Sequence, residues 1–268
     1  MADLEAVKKK QQASWSTGDF GMIAWHTQYP CELLCEAIGL RAGQKVIDVA
    51  TGSGNGVFSA IRRGCEGVGT DYVPALIERA RERAAAERMP AQFEVADAEA
   101  VPFPDGSFDV VMSAFGSMFA PNQEKAANEL IRLCKPGGKI ALANWTPAGF
   151  WGKFFALVGK YNPPPEGLRP APEWGTEKRI KELFGAATSS IYIQERSALF
   201  RYRDSKHWIQ VFGTYFGPLM RTLESLDEVR RHEFLRELDD TLNFLNVSGD
   251  ESLVMSANYL EIVMTKKA

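Results

Sequence analysis

The sequence predicts an α/β protein, a seven-stranded, mostly parallel sheet with helices on both faces. Three observations carry this. Short β-branched runs alternate with helix-patterned segments from residue 41 to 145. The first run, KVIDVA at 45–50, leads into a glycine cluster, A-x-G-x-G-x-G, from Ala50 to Gly56. The next two runs each end on an acidic residue, Asp71 and Asp97. Strand–helix alternation builds right-handed βαβ units, whose ligands bind at the carboxyl ends of the strands.

Each element has its own signal. Residues 45–50 read as a buried strand, and 55–63 as a helix ending near Gly64. GVGTD at 67–71 is a second strand. Pro74 then opens a helix over 74–88, where a proline in the first turn loses no hydrogen bond. Residues 91–97 alternate as a third strand. An Asp105-Gly106 turn precedes a fourth at 108–114. The next helix, over 122–134, carries an apolar stripe of Ala127, Leu130, Ile131 and Cys134, and Pro136-Gly137-Gly138 is expected to stop it. The fifth strand is 139–145. Residues 146–190, rich in Pro, Gly and aromatics, read as a long binding loop with short helices, stiffened at YNPPP. Residues 190–203 form a sixth strand and 204–246 are helical, with Leu235, Leu238, Leu242 and Leu245 on one stripe. A last strand covers 252–267.

Composition excludes several classes. The chain has 268 residues, 45% hydrophobic and 24% charged, with a net charge of −3. That balance provides no basic field for nucleic acid or an anionic membrane. No apolar run is long enough to span a bilayer, and residues 1–12 lack a signal core, so a cytoplasmic location is expected. Cys31 and Cys35 fall on one helix face, but with three histidines in the chain and none beside them, buried free thiols are expected and no metal.

The glycine cluster selects the ligand only with its neighbours. No G-x-x-x-x-G-K-[ST] phosphate loop occurs. The dinucleotide pattern G-x-G-x-x-G fails, because Val57 or Asn55 stands where the last glycine belongs. Asp71, at the end of the second strand, suits both hydroxyls of a ribose. Alone it would also suit a cap for the Pro74 helix. Asp97 and its neighbours suit an adenine edge. Together they describe a nucleoside site that needs no phosphate, and S-adenosylmethionine is such a cofactor.

On these residues the chain resembles the class I S-adenosylmethionine-dependent methyltransferases of the type 11, UbiE-like, small-molecule branch. The matching stretches are VIDVATGSGNG, GTDYVPALIERAR, FEVADAEAVPFPDGSFDVVMSAFGSMFAP and ELIRLCKPGGKIALANW. The resemblance implies a Rossmann-like sheet with its last strand antiparallel between the fifth and sixth, an N-terminal cap and a helical lid. It divides the chain into cap helices at 1–40, a cofactor-binding core at 41–146, and a substrate loop, lid and last strands at 147–268. It implies that Gly52, Ser53 and Gly54 approach the methionine part of the cofactor, with Ala50 replacing the family's first glycine. Asp48 would anchor that loop. Asp71 would bind the ribose, Tyr72 would pack on the adenine, and Asp97 and Ala98 would read its edge. Ser113, Ala114 and Phe115 would line the methyl-donor side, and Trp25 would close the cofactor from the N-terminal segment.

In-line displacement from a sulfonium needs positioning and desolvation more than a base. His26 is the one candidate base, against a structural reading as a satisfied histidine. Tyr29, Trp151, Tyr161, Trp208 and Tyr215 are candidate acceptor contacts, and their character points to a planar or apolar small molecule, or to an amine held by cation–π contact. YNPPP resembles the Asn-Pro-Pro-Tyr motif of amino-group methyltransferases and Pro30-Cys31 the nucleophile motif of cytosine-carbon methyltransferases, but both lie at the wrong strands. The expected assembly is a monomer or homodimer. The alternatives are a non-catalytic cofactor-binding partner protein and, against the failed fingerprint, an NAD-dependent oxidoreductase.

Overall fold

The computed structural model describes residues 3–268, so the first two residues of the expected cap lie outside it. Seven strands form one sheet: β1 (Lys45–Val49), β2 (Glu66–Asp71), β3 (Gln92–Val95), β4 (Phe108–Ala114), β5 (Cys134–Trp145), β6 (Thr188–Tyr202) and β7 (Leu253–Lys266). Their order is β3-β2-β1-β4-β5-β7-β6. The first five are parallel, and β7 runs antiparallel to both its neighbours. The chain leaves β1 towards β2 on one side and takes up β4 on the other. The loops after β1 and β4 therefore part, and a crevice opens between them.

Helices α1 (Leu4–Trp15) and α2 (Gln28–Ile38) precede the sheet. Helices α3 (Asn55–Ile61), α4 (Pro74–Glu87) and α5 (Gln123–Leu133) connect the parallel strands. The central strands are covered on both faces: Val46, Ile47 and Val49 of β1 and Val110, Val111 and Met112 of β4 are all buried. Burial of each such side chain stabilises the fold by about 1.5–3 kcal/mol. Pro74 opens α4 and Arg88 ends it in the left-handed region at φ 54°. Cys31 and Cys35 sit on α2, and all four cysteines are buried free thiols.

Two stretches depart from the sequence reading. The Pro136-Gly137-Gly138 triplet does not act as a loop stop. Helix α5 ends at Leu133, and Cys134 already pairs with Phe108 while Lys139 pairs with Val110. The triplet is the bulge between those pairings, with Gly137 at φ 73°. Residues 146–190 are less loop than expected, with α6 (Phe150–Tyr161) running 12 residues and α7 (Glu177–Phe184) eight. Their glycines are contact points as well as punctuation. A Cβ on Gly152 would lie 2.1 Å from the Pro147 carbonyl oxygen, and one on Gly175 would lie 2.1 Å from that of Trp145.

The segment between β6 and β7 folds as α8 (Ser205–Tyr215), α9 (Gly217–Ser225) and α10 (Glu228–Phe244). Leu238 and Leu242 of the expected stripe are buried with Phe234, while Leu235 and Leu245 are half-buried. Helix α10 packs on α6, α8 and β7. Helices α1, α6 and α8 thus gather over the carboxyl edge of the sheet, above the crevice.

Candidate active site

The crevice is a cavity of about 1210 Å³ of empty space, its opening included. One end is built by the turn after β1. Ala50, Gly52 and Gly54 have φ of 57°, 58° and 92°, so alternate residues of the turn are left-handed. The three glycines of the cluster serve different needs. A Cβ on Gly52 would meet only the Phe20 ring, at 3.7 Å, and this residue faces the cavity. A Cβ on Gly54 would strike Phe58 at 2.8 Å, and one on Gly56 would lie 2.4 Å from Asp48 Oδ2. Gly54 is outside the cavity lining; Ser53 and Gly56 belong to it.

Asp71 ties this turn to the end of β2. Its Oδ2 accepts the Gly52 N–H at 2.9 Å and its Oδ1 accepts the Val73 N–H at 2.9 Å. It is not the cap of α4, whose first turn follows Val73 without a side-chain cap. Burial raises the Asp71 carboxyl to about 6, against the pull of those backbone donors. Asp48 is buried beneath the turn and accepts the Thr51 hydroxyl at 2.6 Å. Its Oδ1 has no partner among the described residues, and burial raises this carboxyl to about 7. Tyr72, Asp97 and Ala98 continue the lining at the ends of β2 and β3. Asp97 accepts the Lys8 ammonium at 2.7 Å, and Lys8 also reaches Glu99 at 2.8 Å.

The other end is aromatic. Ala114, Phe115, Phe119, Trp145, Trp151, Phe155, Phe200, Phe212 and Phe216 line it, and every lining residue from Ala114 onward is apolar. Phe115 holds φ 64° and stacks on Trp145 with centroids 3.8 Å apart. Gly116 follows against Ala50, where a Cβ would lie 2.1 Å from the Ala50 carbonyl oxygen. Two left-handed residues other than glycine thus meet where β1 and β4 part, a place where strain marks function.

Several expected contacts lie elsewhere. Ser113 is structural: its hydroxyl donates to the Val49 carbonyl at 2.6 Å and accepts the Ser117 N–H at 2.9 Å. Trp25 is 59% exposed and Tyr29 68%, both outside the cavity. The Tyr161 hydroxyl donates to Glu237 at 2.7 Å, away from the site. Trp208 stacks behind Phe212 at 4.1 Å, and Tyr215 is also outside the lining. Of the candidate acceptor contacts, Trp151 alone faces the cavity. His26 lines it, but with both ring nitrogens engaged: Nδ1 with the Ile23 carbonyl at 2.8 Å, Nε2 with the Tyr202 hydroxyl at 3.0 Å. Burial lowers its pKa to about 4. It pins the N-terminal segment to β6 and has no nitrogen free for an acceptor's proton.

A left-handed glycine turn, a buried carboxylate at the end of the second strand and an adjoining aromatic chamber define a nucleoside-binding α/β enzyme. A methyltransferase-domain profile matches residues 47–142. An uncharacterized protein of Mycobacterium tuberculosis is 34% identical over 260 residues, 96% of this chain and 94% of its own. The demethylmenaquinone methyltransferase of Thermus thermophilus is 39% identical over 173 residues, 56% of this chain and 76% of its own. The YcgJ protein of Bacillus subtilis shares the fold with TM-score 0.63 at 20% identity, over 90% of this chain and 99% of that one. So does Haemonchus contortus phosphoethanolamine N-methyltransferase 2, solved with S-adenosyl-L-methionine, with TM-score 0.59 at 16% identity, over 93% of this chain and 57% of that one. This chain belongs to the methyltransferase-domain family, and it is an S-adenosylmethionine-dependent methyltransferase. Among the described residues no helix is long and apolar enough to cross a membrane, and no cluster of His, Cys, Asp and Glu is arranged to hold a metal.

Proposed function

We propose that the protein transfers a methyl group by in-line displacement to a small, planar, apolar acceptor held in the aromatic chamber. The observation that carries this is the division of one cavity: its charged lining, Lys8, Asp48, Asp71 and Asp97, sits at the nucleoside end, and the chamber beyond Ala114 has none. A cationic acceptor would find ring faces there but no counter-charge, which disfavours it.

The residues present fit the cofactor. Asp71 keeps a lone pair on each oxygen for the ribose hydroxyls, and the free Asp48 Oδ1 is a buried acceptor at the methionine side. Gly52 leaves the turn open, Tyr72 flanks the base, and Asp97 with Ala98 offers the adenine edge its partners. Bound there, S-adenosylmethionine supplies a methyl group already activated on a sulfonium. The protein's part is to orient and to exclude water. Phe115, Trp145 and Trp151 confine the acceptor, and their low polarity favours a reaction in which opposite charge is dispersed. With no free base in the chamber, the acceptor atom enters as a nucleophile that solvent has already deprotonated, or as one that needs no deprotonation.

Calorimetry with S-adenosylhomocysteine and a chelator tests the cofactor half. Micromolar-range binding is expected; no heat at millimolar ligand would sink the reading. Screening planar hydroxy-, amino- and thio-aromatics for S-adenosylhomocysteine release tests the acceptor half. Turnover confined to charged aliphatic amines would overturn it.

A pH dependence follows from Asp71. Its folded pKa is raised to about 6 by burial, so keeping it ionised costs folding stability above that pH, and the cost is relieved as pH falls through it. Cofactor binding has the opposite need, since the ribose hydroxyls bind the carboxylate. Affinity for S-adenosylhomocysteine is therefore expected to weaken below about pH 6, by up to about tenfold per unit. Titrations between pH 5 and 8 check this, and a flat profile would remove Asp71 from the contact.

A further inference from the structure

We propose that α1 carries a recognition edge for the adenine base, and that Gln11 reads it. The inference rests on the cofactor's occupying this cavity and goes beyond it, since α1 lies outside the segment that the methyltransferase profile matches. Residues Lys8, Gln11, Gln12 and Trp15 stand at i, i+3, i+4 and i+7, so they share one face of α1. That face lies over the ends of β2 and β3. Lys8 bridges Asp97 and Glu99, at 2.7 and 2.8 Å, and the Gln12 Nε2 donates to the Tyr72 carbonyl at 2.5 Å. The helix is thus fastened on both sides of the place where a base would lie.

Gln11 stands between those fastenings and lines the cavity. Its Oε1 is buried with no partner among the described residues. A buried amide oxygen without a partner is costly, and a ligand that satisfies it recovers that cost. A carboxamide sets an acceptor beside a donor, and this pair matches N6 and N7 of adenine. Asp97, held in place by the Lys8 ammonium, offers a carboxylate acceptor at the same end of the cavity. The adenine amino group has two N–H bonds, one for each acceptor. A base with a carbonyl at that position would instead face two acceptors, so the arrangement selects adenine. Lys8 acts here through Asp97 and is a positioning residue.

The test compares S-adenosylhomocysteine with its 7-deaza analogue, which lacks the N7 acceptor, by calorimetry on the full chain. The parent is expected to prefer S-adenosylhomocysteine by roughly tenfold. Gln11→Met, which keeps length and packing, is expected to bind both compounds at the weaker level with its melting temperature unchanged or raised, since no unpartnered amide oxygen is then buried. A Gln11→Met protein that retains the parent's preference overturns the inference, as does a parent that binds both compounds equally tightly. In both those cases the cofactor assignment stands. A parent that binds neither compound overturns the assignment, and the inference with it.

Discussion

Replacing Asp71 by alanine is expected to raise the dissociation constant for S-adenosylhomocysteine at least a hundredfold. Each carboxylate oxygen already accepts one backbone N–H, from Gly52 and Val73. Each retains a lone pair for one ribose hydroxyl. Hydrogen bonds to a charged group contribute about 1.5–3 kcal/mol each, so two amount to about 3–6 kcal/mol. The lower bound is already more than a hundredfold in affinity. Alanine also frees the turn that presents Gly52. Asparagine retains one acceptor but sets its NH2 group against one of the two backbone donors. It is therefore expected to behave more like alanine than like the parent. Calorimetry on proteins shown to be folded by circular dichroism measures this. Parent-like affinity in a folded Asp71→Ala protein would reduce Asp71 to a tie between β2 and the turn.

The second large effect is expected from Trp151. Its ring lies between Phe150, Phe154, Phe200, Phe212 and Phe216, with centroids 5.0 to 5.9 Å away, and it faces the chamber. Trp151→Ala opens a cavity among these rings and is expected to destabilise the fold by about 3–5 kcal/mol. Turnover of an acceptor should fall at least about tenfold through lost positioning, while affinity for S-adenosylhomocysteine stays near that of the parent. At the cofactor wall, Trp25 was the residue expected from sequence, but the indole that lines the cavity is Trp15, packed edge-on to Phe20, Phe119 and Phe216. Trp15→Ala is therefore expected to weaken cofactor binding more than Trp25→Ala, which removes an exposed ring stacked on His26. Paired affinity and turnover measurements on the three variants check this. A larger cofactor defect in Trp25→Ala than in Trp15→Ala would give that role to Trp25.

The parallel half of the sheet is legible because its signals are local. A buried strand such as β1 needs β-branched residues on both faces, and the turn that follows needs left-handed backbone, so glycines appear there. Asp71 and Asp97 are legible because the fold places strand ends at one rim. The helical character of residues 150–161 was harder to read. Phe150, Trp151 and Phe154 do recur with helical spacing, but Gly149, Gly152 and the prolines after Tyr161 pointed to a loop. In the folded protein Gly152 is small because the Pro147 carbonyl passes it, and no local rule distinguishes that need from a turn.

The sequence by itself determined the class of fold, the cofactor and the carboxylates that line the cavity. These depend on residues whose spacing along the chain is set by single strands, turns and helices. Only the tertiary structure decided which aromatics line the cavity. Trp15, Phe115, Trp145, Trp151, Phe200 and Phe216 come from six separate elements or junctions, and Trp25, the same residue type as Trp15 ten positions on, is exposed. Tertiary structure also decided that His26 is engaged at both nitrogens, because its Tyr202 partner is 176 residues away in the chain. A side chain's free valence depends on what folds against it, and contacts between distant segments leave no periodic trace in either one.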